Sequence, residues 1–278
     1  MVSAFLAAIA GAVEVIQSKR VMNVFKMPSQ TFFTLGSALI FFIMCFILYF
    51  SKNYQVDNLE PIHYLLFGGV ITVGFYYNYL FYYALKKGAL CDVEPLAMLY
   101  PLVTMVIAII FFPDERNYYV VLPGLAAATT LVVSRVQRHH FKMKKETLAM
   151  LGFVVLVSIE ANLLKPLLEV VPPILLYTAR IGVLATLFLI FTRPDLRKIK
   201  NTPFWQTVVV AAFVAVELSA YYYAIKQIGV VETSLIFLLS PVLILISSKF
   251  LFKEKITLKK TISSAIILIC IAAAIIIS

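Results

Sequence analysis

Residues 82–86 read Tyr82-Tyr83-Ala84-Leu85-Lys86, and residues 222–226 read Tyr222-Tyr223-Ala224-Ile225-Lys226. The two stretches lie 140 positions apart, and the same ungapped shift pairs Asp92 with Glu232, Pro101 with Pro241 and Asp114 with Glu254. A shift of 146 pairs Glu14 with Glu160 and Lys19 with Lys165, giving the pattern E-x4-K in both halves. Apolar sequences align readily with one another, but acids, lysines and prolines matching under nearly one offset are the mark of an internal repeat. The chain is therefore read as two copies of one unit, residues 1–140 and 141–278.

Each unit is built for lipid. Of the 278 residues 62% are hydrophobic and only 14% charged, with a mean hydropathy of +0.95; a soluble domain carries roughly 45–50% apolar and about 25% charged residues. Surface this apolar cannot be hidden in one soluble core, which excludes a soluble enzyme, a nucleic-acid-binding domain and a disordered tail. With roughly 20 residues needed per spanning helix, ten apolar runs qualify, near 2–20, 30–50, 64–85, 95–112, 117–134, 147–168, 173–192, 204–226, 231–251 and 258–277. They are too long and continuous for barrel strands. The first run has no basic leader and no small-residue cleavage site, so it reads as a retained span. Ten spans leave only short loops. Five per repeat is an odd number, so the second repeat enters the membrane upside down, the inverted arrangement of alternating-access carriers.

Of the 24 Lys and Arg residues, 19 fall on one side of this topology, most densely in Arg135–Lys145 and Arg193–Lys200. The positive-inside rule makes that side cytoplasmic and turns both termini outward. The +10 net charge is thus an orientation signal of a multi-pass protein, expected in a prokaryotic inner (plasma) membrane because no targeting segment is seen. Cys45, Cys91 and Cys270 have neither disulfide nor metal-ligand spacing. His63, His139 and His140 fall in loops, and no cofactor is implied.

Ten helices in two five-helix halves resemble the drug/metabolite transporter superfamily, in particular its EamA-like members. The resemblance rests on Tyr83-Ala84-Leu85, Leu99-Tyr100-Pro101 and Asp114-Glu115, and in the second half on Tyr223-Ala224-Ile225, Leu239-Ser240-Pro241 and Glu254. The segment Ala12-Val13-Glu14-Val15-Ile16 is similar to the first helix of the small multidrug resistance exporters. That likeness implies a membrane-embedded glutamate for which substrate and proton compete. The tryptophan-glycine pair usual in the first EamA helix is absent here.

Ionisable groups inside a span cost a few kcal/mol or more, about 2.5–3.5 by insertion scales, and so mark function by default. Four qualify: Glu14, Glu160, Arg180 and Glu217. Glu14 lies about 18 Å along the first span, at 1.5 Å per residue, with Ala7, Gly11 and Ser18 on its face. Small neighbours there leave room for a close helix or for a solute. A carboxyl at that depth is a seat for a coupling proton. Glu160, Arg180 and Glu217 are expected at similar depth, with Arg180 bridging both acids. A purely structural salt bridge among the three spans is the competing reading. Tyr76 and Tyr77 lie near mid-membrane, where a phenol needs a polar partner, and Glu217 and Tyr221 share a face at i and i+4. Aromatic walls with carboxylates suit an organic cation through cation–π attraction. Tyr82, Tyr83 and Tyr221–Tyr223 read as an interfacial belt. Lys19 and Lys165 read as side chains snorkelling to the interface, and Asp92, Glu94 and Glu232 as solvated caps. Pro101 and Pro241, early in the fourth and ninth spans, are candidates for gating kinks.

The sequence holds no H-E-x-x-H, G-x-S-x-G or P-loop pattern. The expectation is a secondary carrier of a small organic solute (an organic cation, amino acid or drug-like metabolite), proton-coupled at Glu14 and exporting. The substrate site is assigned to Glu14, Tyr76, Tyr77, Glu160, Arg180, Glu217 and Tyr221. The alternatives are an uncoupled facilitator, a quaternary-amine importer or a lipid-carrier flippase on the same scaffold. The partners are the solute, protons and the bilayer; two fused halves complete a pathway in one chain, and a homodimer is compatible.

Overall fold

The computed structural model describes residues 1–24, 27–52, 54–87, 97, 99–135, 145–194, 201–240, 242–243 and 258–277. Among them the chain is all-helical, without a strand. The first half contributes α1 (Val2–Val24), α2 (Ser29–Ser51), α3 (Pro61–Lys87), α4 (Tyr100–Phe111) and α5 (Tyr118–Arg135), with a short 3₁₀ turn, Pro113–Glu115, between the last two. The second contributes α6 (Lys145–Val170), α7 (Pro173–Thr192), α8 (Asn201–Phe237) and α9 (Leu258–Ile277). Six of these, α1, α2, α3, α6, α7 and α8, are long and apolar enough to cross a membrane; α4, Tyr118–Ala127 and Ile262–Ala274 are apolar but shorter. Asp92, Glu94, Cys91, His139, His140, Pro241 and Glu254 lie outside the described residues.

The 37 residues of α8 would run about 55 Å if straight, well beyond a hydrocarbon core of about 30 Å. The helix breaks at Gly229 (φ 80°, ψ 178°), between the eighth and ninth apolar runs of the sequence. That backbone conformation is open essentially to glycine alone. Pro101 sits buried in the first turn of α4, where its missing N–H costs no hydrogen bond. Residues 88–96 and 98, which precede it, lie outside the described residues.

Helices pair across the two halves. α1 runs along α8, α3 along α6, α2 along α7 and α5 along α9. Exchanging the halves maps α1–α8 onto α6–α3 and returns the other two pairs to themselves. The local ends repeat as well. α2 and α7 each begin behind an extended proline, Pro28 (φ −59°, ψ 132°) and Pro172 (φ −59°, ψ 139°), and each ends in a left-handed basic residue, Lys52 and Arg193. Small side chains permit the close α1–α8 contact, since Ala4, Ala7, Ala8 and Ala12 are all buried. Aromatic packing fixes α2 and α3 to α7, Phe188 meeting Phe33 edge-on at 4.2 Å and stacking on Phe75 at 5.1 Å between ring centres. Phe42, Phe46, Phe50, Phe191 and Ile269 point outward and exposed, an apolar exterior suited to acyl chains.

Candidate functional site

The four charges expected inside spans meet at the two crossings that exchange with one another, α1–α8 and α3–α6, but in two separate groups. In the first group, on α3, α6 and α7, Arg180 and Glu160 are buried, 3% and 4% exposed. Arg180 donates from Nε to Glu160 Oε1 at 2.6 Å, brings Nη2 within 2.6 Å of the same oxygen, and donates from Nη2 to the Tyr77 hydroxyl at 2.5 Å. Arg180 also lies 6.0 Å from the centre of the Tyr77 ring. Gly74, one turn before Tyr77, leaves the gap that the pair fills: a Cβ there would stand 3.0 Å from Glu160 Oε1. The opposite charges of Arg180 and Glu160 offset one another.

The second group, on α1 and α8, is acidic. Glu14 accepts a hydrogen bond from Ser18 Oγ at 2.6 Å, one turn along α1. Glu217 presses against α1 at Gly11, where a Cβ would fall 2.6 Å from Glu217 Oε1 and 3.3 Å from Phe237 Cζ. A side chain at position 11 would therefore oblige the Glu217 carboxyl to move. Glu14 and Glu217 lie within electrostatic range of each other. Among the described residues neither is paired with a lysine or arginine. Aromatic rings close this group: Phe237 lies 5.5 Å from the buried Tyr221 and 6.0 Å from Tyr100, centre to centre.

Arg180 thus does not bridge both acids, as the sequence suggested; α8 carries Glu217 to the α1 side instead. The repeat explains the difference between the groups. Glu14 and Glu160 are partners under the shift of 146, and the shift of 140 pairs Glu217 with Tyr77. The same glutamate therefore faces a second carboxyl at one crossing, and a phenol with an added arginine at the other.

Beside the first group stand Tyr177 and Tyr222, 0% and 2% exposed, with ring centres 5.4 Å apart. Neither hydroxyl has a hydrogen-bond partner among the described residues. Tyr177, on α7 with Arg180, is in electrostatic range of both Arg180 and Glu217. A buried hydroxyl left open is costly unless water or a ligand completes it. Tyr222 is thereby removed from the interfacial belt. Tyr76 is 57% exposed and turned outward against Phe75; one helical step of 100° separates it from the inward Tyr77, so it does not join the site residues. Sequence reading also missed Tyr100, Tyr177 and Phe237. Only Tyr100 left a signal, its place in Leu99-Tyr100-Pro101.

Lys165 is corrected too. It does not snorkel, but bonds Asp114 and Glu115. That hydrogen bond holds the Asp114 carboxyl below its ordinary range. The side chain of Lys19 lies outside the described residues.

A family model described as the EamA-like transporter family matches the chain twice, over residues 1–134 and 144–278. The chain belongs to the EamA-like transporter family. Membership makes it a multi-pass membrane protein that moves small solutes. A solved structure, titled only as the crystal structure of a protein, is similar over 99% of this chain and 97% of that one, with a TM-score of 0.76 and 16% identity. That likeness establishes the shared fold. No curated protein matches the sequence.

Proposed function

We propose that this EamA-like protein is a proton-coupled secondary carrier that exports a protonated amine or other organic cation by alternating access, with Glu14 and Glu217 as the exchange site. The carrying observation is two intramembrane carboxyls without a basic partner among the described residues, walled by Tyr100, Tyr221 and Phe237. Two facing carboxylates repel, so an empty site takes up a proton and a cation displaces it; aromatic walls add cation–π attraction for an amine. Arg180, Glu160 and Tyr77 form the fixed neutral counterpart that holds α3, α6 and α7 in register.

Ten spans, two inverted repeats divided near residue 140 and central binding between the repeats complete the reading. The exchange-symmetric pairing of α1–α8 with α3–α6 supports it. The basic stretches face the cytoplasm of a plasma membrane, and both termini face outward. The open hydroxyls of Tyr177 and Tyr222 beside Arg180 favour a second substrate form, a zwitterion whose carboxylate they receive. An uncoupled facilitator or lipid-carrier flippase would leave the carboxyls structural. The test is proton movement in proteoliposomes while amines and amino acids are added. Solute-dependent flux that disappears in Glu14→Gln supports coupling, whereas solute flux that survives the substitution and ignores pH refutes it.

A further inference from the structure

The face of the molecule that holds the turn Pro113–Glu115 is tied together by a buried carboxylate. Glu115, 7% exposed, accepts hydrogen bonds from the Val230 and Val231 N–H groups at 2.9 and 3.0 Å. These are the first amides after the break at Gly229, so Glu115 caps the arm of α8 formed by residues 230–237. Lys165 of α6 donates to Glu115 Oε1 at 2.7 Å and to Asp114 Oδ2, and lies 4.7 Å above the Phe112 ring. Arg116 anchors the same turn by donating to the Ile109 and Ile110 carbonyls that end α4. A polar cavity of about 310 Å³ opens beside these bonds, lined by Lys165, Glu115, Asn117, Lys226, Gly229 and Glu232.

The capped arm connects this face with the interior. One turn past Val230 it carries Ser234, buried beside Tyr221, and it ends at Phe237 against Gly11 and the Glu217 carboxyl. The joint at its base is the one glycine with positive φ among the described residues. The bonds from Glu115 border a cavity from which water can replace them, while the arm beyond the joint is packed in the core, Val230, Val231 and Leu235 being at most 1% exposed, so these polar bonds at its base are the ones solvent can reach. The tie also joins a turn of the first half to two helices of the second.

We propose that Lys165 and Glu115 form the latch of a gate: while closed they hold the arm 230–237 over the central carboxyls, and their release lets the arm turn about Gly229 to open the site to this face. The inference rests on the carrier reading only in calling this motion a step of transport; the motion itself is measured without any substrate.

The experiment uses the full chain with Cys45, Cys91 and Cys270 replaced by serine and Ser234→Cys introduced, in oriented vesicles. A membrane-impermeant thiol reagent is added at the face carrying the latch. Slow labelling is expected in the latched protein. Lys165→Met should speed it about tenfold or more, as expected from losing a charge-assisted hydrogen bond, and Asp114→Asn should give a smaller rise with Glu115 still capped. Unchanged labelling in both variants, with helical ellipticity intact, overturns the latch. A second arm requires no loss of fold: Asp114→Cys with Lys165→Cys, bridged by a short bis-thiosulfonate reagent. Bridging should abolish the labelling of Ser234→Cys and halt any solute flux, and reduction should restore both. Labelling or flux that continues in the bridged protein makes the tie a static staple. Gated labelling without flux of any solute keeps the latch and refutes the carrier reading.

Discussion

Replacing Gly229 with alanine perturbs two things at once, and a double-mutant cycle separates them. The backbone there (φ 80°, ψ 178°) is strained for any L side chain, by about 1–3 kcal/mol. The new methyl would also stand 2.5 Å from Glu115 Oε1 and 2.8 Å from Oε2, so the carboxylate must retreat. Retreat breaks at least one of its bonds to Val230 and Val231 N–H, each worth about 1.5–3 kcal/mol for a charged acceptor. Gly229→Ala should therefore destabilise the protein by about 2.5–6 kcal/mol. In a Glu115→Ala background nothing remains to be struck, and the same change should cost only the strain, about 1–3 kcal/mol. The coupling between the two substitutions is thus expected at about 1.5–3 kcal/mol. Reversible unfolding in mixed micelles, followed by helical ellipticity, measures all four corners of the cycle. Equal cost of Gly229→Ala in the two backgrounds, within about 0.5 kcal/mol as for uncoupled sites, would refute the assignment of Glu115 as the cap of this joint.

Other outcomes follow from the same geometry. Arg180→Met strands Glu160 in the interior and should destabilise by about 3–5 kcal/mol, whereas Arg180→Met with Glu160→Met should recover much of the loss; a double variant no more stable than the single one would contradict a self-contained pair. Gly11→Ala places a methyl 2.6 Å from Glu217 Oε1 and should weaken amine binding, measured by calorimetry in detergent, while Gly36→Ala, with nothing within 4 Å of the added Cβ, should not. Asp114 is held below its ordinary value by Lys165, so its contribution is present at neutral pH and lost as pH falls through that lowered value. Its side chain is 68% exposed, and solvent keeps the effect within about 1 kcal/mol. The difference in apparent Tm between wild type and Asp114→Asn should be small at pH 7 and vanish in acid; a difference that grows on acidification would contradict the assignment.

Much of this was legible in the sequence because lipid imposes simple rules. Among the described residues most apolar runs located their helices to within a few residues, and the break at Gly229 fell where the eighth and ninth runs part. Glu14, Glu160, Arg180 and Glu217 stood out because charge inside a span is rare. What sequence could not give was which helix each faces. Depth alone put Arg180 near both Glu160 and Glu217, but the α1–α8 and α3–α6 pairings assign one acid to each side. Tyr76 and Tyr77 are adjacent in sequence and differ by a single helical step, enough to send one to the exterior and the other to Arg180. Lys165 read as a snorkelling side chain because its partners, Asp114 and Glu115, come from a turn about fifty residues earlier.

The central claim is that Glu14 and Glu217 exchange protons for a cationic solute. Its most direct measurement is the number of protons released when an amine that binds is added to the purified protein in weakly buffered detergent solution. The account predicts release by the wild type, less from Glu14→Gln and from Glu217→Gln, and none from the double variant. Release that persists undiminished in the double variant would contradict it.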